Sequence, residues 1–288
     1  MSLDLNDSGG SMQGVGKWAE SLQANKLAAI SALALGIIVT SALLAPWIAP
    51  QNPFDLTQLS LWDSRLPPGS IGRGGTLYLL GTDDQGRDIL SAILYGLRIS
   101  LSVAFTATVI AVLIGVTLGA TAAFWGGRVD AVIMRIVDFQ LGFPAILIAL
   151  ILLSILGRGV DRVILALVAV QWAYYARTVR GVALVERNKD YIEAALGLGL
   201  GKLRVLMRHL IPNCLSSLVV VATVEMASAV TLEATLSFLG LGTPITAPSL
   251  GLLIANGYHY MLSGMFWISF YPGVALLITV MSVNIAGD

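Results

Sequence analysis

The chain has 288 residues, 56% of them hydrophobic and only 12% charged, with a net charge of zero and a mean hydropathy of +0.82. A soluble domain carries about 25% charged residues, so half that value, arranged around long uncharged runs, points to a membrane and leaves little chain for a separate soluble domain. No dense basic patch suggests nucleic acid, and the single Cys214 excludes an intramolecular disulfide or a CxxC metal site.

Residues 1–26 are polar and Ser/Gly-rich and read as a cytoplasmic N-terminal arm. Leu27–Ala49 is uncharged over 23 residues, and a helix needs roughly 20 apolar residues to cross the hydrocarbon core. It is too long for a cleaved signal peptide and is expected to stay as an anchor. A polar Pro- and Gly-containing section, 50–88, ends at Asp88, a suitable N-cap. Ile89, Leu90, Ile93, Leu94 and Leu97 recur at helical spacing, predicting a short amphipathic helix before the second span. Residues 27–98 thus form one unit, and 99–288 a five-helix core.

The second span, Ile99–Trp125, contains Gly115-x-x-x-Gly119 with Ala123 four further on, a face on which helices approach closely. Span three covers about 136–157 and includes Asp138 and Pro144; span four starts near Val163, with only 14 residues between Arg162 and Arg177. A polar segment, 177–211, follows. Span five runs from about Pro212 to Leu239 with Glu225 and Glu233 inside it, a short or re-entrant helix is predicted at 249–258, and span six is Phe266 to about Ala286.

Six spans put both termini on one side. With that side cytoplasmic, its segments hold eleven Lys and Arg residues against six on the other, the sense expected from the positive-inside rule. The fold class is therefore an all-α integral membrane protein.

No catalytic constellation is visible. His209 and His259 would lie on opposite sides of the membrane, and neither HExxH nor GxSxG is present. Gly197, Gly199 and Gly201 spell GxGxG without a preceding strand or a following GK[ST], so they form neither a dinucleotide nor a phosphate loop. Each glycine costs about 1 kcal/mol relative to alanine inside a helix. Three in five residues therefore predict a helix stop: a short helix from Tyr191 to about Leu198, a turn, then a basic helix from Lys202 to Leu210. Pro212 suits the first turn of span five, where its missing N–H is harmless. The pattern alone leaves two readings open, an interfacial helix pair or a docking element for a cytoplasmic partner.

Glu193-Ala194-Ala195, three residues, Gly199, nine residues and then His209-Leu210-Ile211-Pro212 resembles the EAA signature of ABC-importer permeases. His209 departs from the general pattern, but the Arg208–Asn213 ending resembles the peptide/nickel (oligopeptide/dipeptide) subgroup. LGTDDQGRD (80–88), FWGGRVDAVIMRIVDFQLGFP (124–144) and LEATLSFLGLG (232–242) resemble that subgroup's second permease. That subgroup continues past the Asn-x-x-Gly-Asp at 284–288 with a short charged tail.

The resemblance implies a type I ABC-importer permease fold in the cytoplasmic (inner) membrane. It implies that 190–201 is a coupling helix seated on a cytoplasmic ATPase, with Tyr191, Glu193, Ala194, Ala195, Gly199, Lys202 and Pro212 as coupling residues. ATP and Mg would belong to two ATP-binding partner subunits, with no cofactor or metal on this chain. A second homologous permease and an external, periplasmic substrate-binding protein complete the expected partners, beside membrane lipid. The cargo would be a peptide or similar small solute, moved by alternating access.

Asp138, Glu225 and Glu233 are expensive in lipid and should face the bundle interior or water. Glu225 and Glu233 are eight residues apart, about 80° round a helix, and could share one broad face of a substrate path. The alternative is helix pairing, such as Arg135 with Asp138 at i,i+3, and it is preferred for Asp138 and Glu233. Intramembrane acids would also serve an ion-coupled secondary transporter subunit, a competing reading that the cytoplasmic EAA-like element disfavours.

Overall fold

The computed structural model describes residues 26–244, 246–247 and 249–287; the expected N-terminal arm, apart from Lys26, lies outside them. Helix α1 (Lys26–Leu43) is followed by the short α2 (Ala45–Ile48) and then by an irregular cap of residues 49–88. The cap contains an antiparallel pair of two-residue strands, β1 (Ser70–Ile71) and β2 (Leu77–Tyr78), with Ser70 opposite Tyr78.

The cap ends where Asp88 starts α3. Its Oδ2 accepts from the Ser91 N–H at 2.8 Å and from Ser91 Oγ at 2.6 Å, which satisfies an otherwise orphaned donor of the first helical turn. Helix α3 then runs unbroken from Ile89 to Trp125 over 37 residues. The short amphipathic helix expected at 89–97 is therefore the first turns of the second span, because nothing in Arg98–Ser100 removes a backbone donor or favours a turn.

The expected third span is two helices, α4 (Gly127–Leu141) and α5 (Ala145–Leu156), bent by 88° at their junction. Pro144 precedes α5, and a proline disfavours helical geometry in the residue before it. Helix α6 (Val160–Glu186) follows, then α7 (Asp190–Gly197), α8 (Lys202–Val205), α9 (Ile211–Phe238), α10 (Leu250–Tyr258) and α11 (Trp267–Gly287). Four segments are long and apolar enough to cross a membrane: α1, α3, Ser217–Phe238 of α9, and α11; the bent α4–α5 pair makes a fifth. Helix α6 has the length, but Asp161, Arg162, Arg177 and Arg180 near its ends keep it outside that set. The expectation was six.

Helices α3 and α6 form the centre of the bundle. A Cβ on Gly115 would stand 2.4 Å from Tyr175 Cβ, and one on Gly119 2.4 Å from the Ala176 carbonyl oxygen. The two backbones touch where the GxxxG predicted a packing face. One end of the bundle carries the cap together with residues 239–244 and 249–265: Trp267 Nε1 donates to Thr82 O at 3.4 Å, and Gly159 N to Gly242 O at 3.3 Å. The opposite end carries the α3–α4 turn and the α6–α9 connection, joined where Arg187 Nη1 donates to Ala123 O at 2.6 Å.

Candidate functional site: a coupling segment and a transmembrane cavity

Helix α7 is set on a pedestal. Ile192 is fully buried and Ala195 nearly so, packed with Tyr175, Val179 and Ala183 of α6, with Leu206 and Leu210 just before α9, and with Cys214 in its first turn. Glu193, Ala194 and Leu198 face outward, and Leu198 is 83% exposed. Seated on one side and bare on the other, the helix presents a fixed outer edge of one acid, one small residue and one large apolar side chain.

Gly199 ends this helix. Its φ is +77°, a left-handed conformation that costs an L-residue roughly 1–2 kcal/mol. The Leu200 N–H bonds back to Ala195 O at 3.2 Å and the Leu198 N–H to Ala194 O at 2.9 Å, closing the helix in a Schellman-like turn. Gly201, by contrast, has φ of −59°. The helix stop expected from three glycines resides in the middle one.

Lys202–Val205 forms the first turn of the expected basic helix, and Leu206–Leu210 widens into a π turn that runs directly into α9. Pro212 sits in the first turn of α9, as expected, although that turn continues directly from the π turn before it. Its ring would meet the carbonyl four residues back and it supplies no N–H. The wider turn accommodates this: Ile211 N–H reaches Leu206 O, while Asn213 Nδ2 donates to His209 O at 2.6 Å.

Two residues that the sequence did not single out lock the segment. Tyr191 Oη donates to Glu186 Oε1 at 2.6 Å and accepts from Asn213 Nδ2 at 3.0 Å, and Lys189 Nζ lies 2.7 Å from Glu186 Oε2. The end of α6, the start of α7 and the start of α9 thus meet at one carboxylate. Lys189 first, then the tyrosine hydroxyl, hold Glu186 below the usual glutamate range. Burial, followed by the bond to Glu186, pushes the Tyr191 hydroxyl up to about 12. The usable signal for Glu186 was a single acid closing a long apolar helix.

Because its carboxyl is depressed when folded, Glu186 contributes stability above the ordinary glutamate range, and that contribution is lost as pH falls through the lowered value. Glu186→Gln at neutral pH is expected to remove a charged acceptor worth about 1.5–3 kcal/mol and to speed amide exchange across Asp190–Gly197. Unchanged exchange there would show that the carboxylate is not what locks α7.

The acids within the spans separate. Glu233 is fully buried and accepts from Ser100 Oγ and Ser237 Oγ, each at 2.7 Å, tying α9 to α3. Asp138 pairs with Arg177 of α6, not with Arg135 as the i,i+3 spacing suggested, and Arg180 similarly pairs with Asp130. Both ion pairs cross from α4 to α6. Glu225 instead lines a half-open cavity of about 520 Å³ between α5, α6, α9 and α11, with Gln171, Tyr174, Ser228, Thr231 and Asn284 among its walls.

Residues 115–288, which include the cavity's walls and the whole connection from α6 to α9, match the family described as binding-protein-dependent transport system inner membrane component. The chain belongs to this family. The permease is accordingly a multi-pass protein of the inner membrane and a transport subunit of an ABC importer. Residues 18–68 match the N-terminal transmembrane domain of oligopeptide transport permease C. The dipeptide transport system permease protein of Escherichia coli K12 is 38% identical over 265 residues, 92% of this chain and 87% of that protein. The di/tripeptide permease of Pseudomonas aeruginosa is 35% identical over 269 residues, 93% and 88% of the two chains. Among solved structures, an inward-facing MetNI methionine ABC transporter chain aligns with a TM-score of 0.58 at 23% identity, covering 69% of the permease and 94% of that chain. This likeness shows the type I importer fold.

Proposed function

We propose that this permease carries peptides of two or a few residues across the cytoplasmic membrane as one of two homologous permease subunits around a shared path. Two partner ATPases hold and hydrolyse ATP with Mg, and an external binding protein delivers the cargo to the capped end. In this reading α6 is the sixth span, both termini are cytoplasmic, and Glu225 faces the path while Asp138 and Glu233 hold helices together. The names of the relatives support the cargo class.

The observation that carries the mechanism is the rigid seating of α7 with an unoccupied outer edge. When the ATPases close, a helix held by Ile192, Ala195 and Tyr191 moves as a body with α6 and α9 instead of bending away. A rocking of packed elements of this kind gives alternating access. Ala194 allows close approach of a partner backbone, Glu193 offers a charge-assisted hydrogen bond, and Lys202 and Arg204 border the same surface.

Reconstitution with the second permease, both ATPases and the binding protein tests this. Uptake of labelled L-alanyl-L-alanine is expected with ATP and Mg and not with a non-hydrolysable analogue. Uptake driven by a proton or sodium gradient without ATP would overturn the reading. Reporter fusions at Lys202 and Gly257 are expected to report inside and outside respectively.

A further inference from the structure

The cavity beside Glu225 has a one-sided chemistry. Glu225 is the sole ionisable carboxylate among its described walls, and no Lys, Arg or His lines it there. Gln171, 3% exposed, donates from Nε2 to the Glu225 backbone carbonyl at 2.7 Å. That bond fixes the amide so that Oε1 is the atom left over, and Oε1 is buried without a hydrogen-bond partner. That oxygen is closed to solvent, so the role of Gln171 here is to hold the α9 backbone at Glu225. The Glu225 side chain has no hydrogen-bond partner among the described residues either. The one charged group on the wall of this space, which is large enough for a small solute, is therefore a carboxylate with no partner of its own among the described residues.

We infer that Glu225 is a receptor for the primary ammonium of the cargo, with Gln171 positioning it through the bond to its backbone carbonyl, and that the path through this subunit selects for positive charge. The inference rests on the proposal that this cavity is the substrate path. An ammonium carries three donors and no acceptor, which matches a carboxylate bordered by hydroxyls. A carboxylate terminus would find no cation here, so the other end of a zwitterionic peptide must be met outside this cavity. With Ser228, Thr231 and Thr235 on the same wall, the remaining polar contacts are hydroxyls, which tolerate varied peptide backbones.

The test reads the charge of the cavity directly. In the assembled, nucleotide-free complex carrying Cys214→Ala, Ser228→Cys places a thiol three residues from Glu225, on the same helix face. Its reaction rate is measured with a trimethylammonium-bearing methanethiosulfonate and with the sulfonate-bearing counterpart, each normalised to a free thiol in solution. The cationic reagent is expected to react at least tenfold faster than the anionic one, and Glu225→Gln to reduce that preference at least tenfold. Glu225→Asp should keep most of it, and Gln171→Leu, which leaves the charge, should reduce it by about threefold.

A preference unchanged within twofold in Glu225→Gln overturns the inference, whatever that variant does to folding or assembly. Failure of ATP-driven uptake by the wild-type complex would instead remove the transport reading while leaving the charge measurement standing. With the thiol test positive, uptake of L-alanyl-L-alanine by Glu225→Gln is expected to fall at least tenfold. Normal uptake there would overturn the cargo assignment.

Discussion

Gly119→Val is expected to lower the stability of this permease by about 3 kcal/mol or more and to abolish recovery of monodisperse protein in mild detergent. The reason is the nature of the obstacle. A Cβ at Gly119 would lie 2.4 Å from the Ala176 carbonyl oxygen and 3.1 Å from its Cα; these are backbone atoms of a helix and cannot rotate aside. Relief requires α3 and α6 to separate, and that separation opens the fully buried layer of Ala173, Tyr175 and Ala176. Gly36→Val is the control. A Cβ there meets nothing within 4 Å, and valine on the lipid side should leave the unfolding midpoint where it is. Equal midpoints for the two variants would mean that the close approach does not hold the bundle.

That contact was readable from Gly115, Gly119 and Ala123 because a small residue every fourth position encodes a geometric statement in a single helix. The helix stop near Gly199 was readable for a similar reason: backbone freedom is a local property. What failed to show required two distant segments at once. Asp138 has Arg135 three residues away, yet it pairs with Arg177 on α6, a neighbour that only the packed helices bring near. Pro144 marked the place of the break between α4 and α5 but not its angle. Glu186 and Asn213 were missed because their roles depend on Tyr191 joining the ends of three helices. Composition favoured a separate amphipathic helix at 89–97, but continuity of the backbone hydrogen bonds prevailed in α3.

The separation of the two sites along α6 gives the permease a mechanical logic. Gln171 and Glu186 are fifteen residues apart on one uninterrupted helix, about 22 Å at 1.5 Å per residue. One end is bonded to α7 through Glu186 and Tyr191, and the middle walls the cavity through Gln171 and Tyr174. Movement imposed at α7 therefore reaches the cavity wall without crossing a loop. Helix α9 repeats the arrangement from Asn213 to Glu225. Two parallel levers share one pedestal, and the π turn at Leu206–Leu210 is the irregular element beside it.

Glu193→Arg is expected to eliminate at least nine-tenths of ATP-dependent uptake while leaving the isolated permease intact. Glu193 is exposed on the outer edge of α7, and its side chain makes no hydrogen bond or ion pair among the described residues. A surface substitution of that kind changes stability by no more than about 0.5 kcal/mol. Nothing inside the chain therefore accounts for a large functional loss, and a loss must come from a partner seated on that edge. Reversing a charge at a buried contact costs 2–5 kcal/mol or more in association, enough to detach an ATPase subunit at ordinary concentrations. The decisive pair of measurements is the thermal midpoint of the variant alone and its co-purification with the ATPases. Normal melting with lost co-purification assigns α7 to coupling. Normal melting, normal co-purification and full uptake would remove Glu193 from the interface and, with it, the assignment of this edge as the place where nucleotide-driven motion enters the membrane.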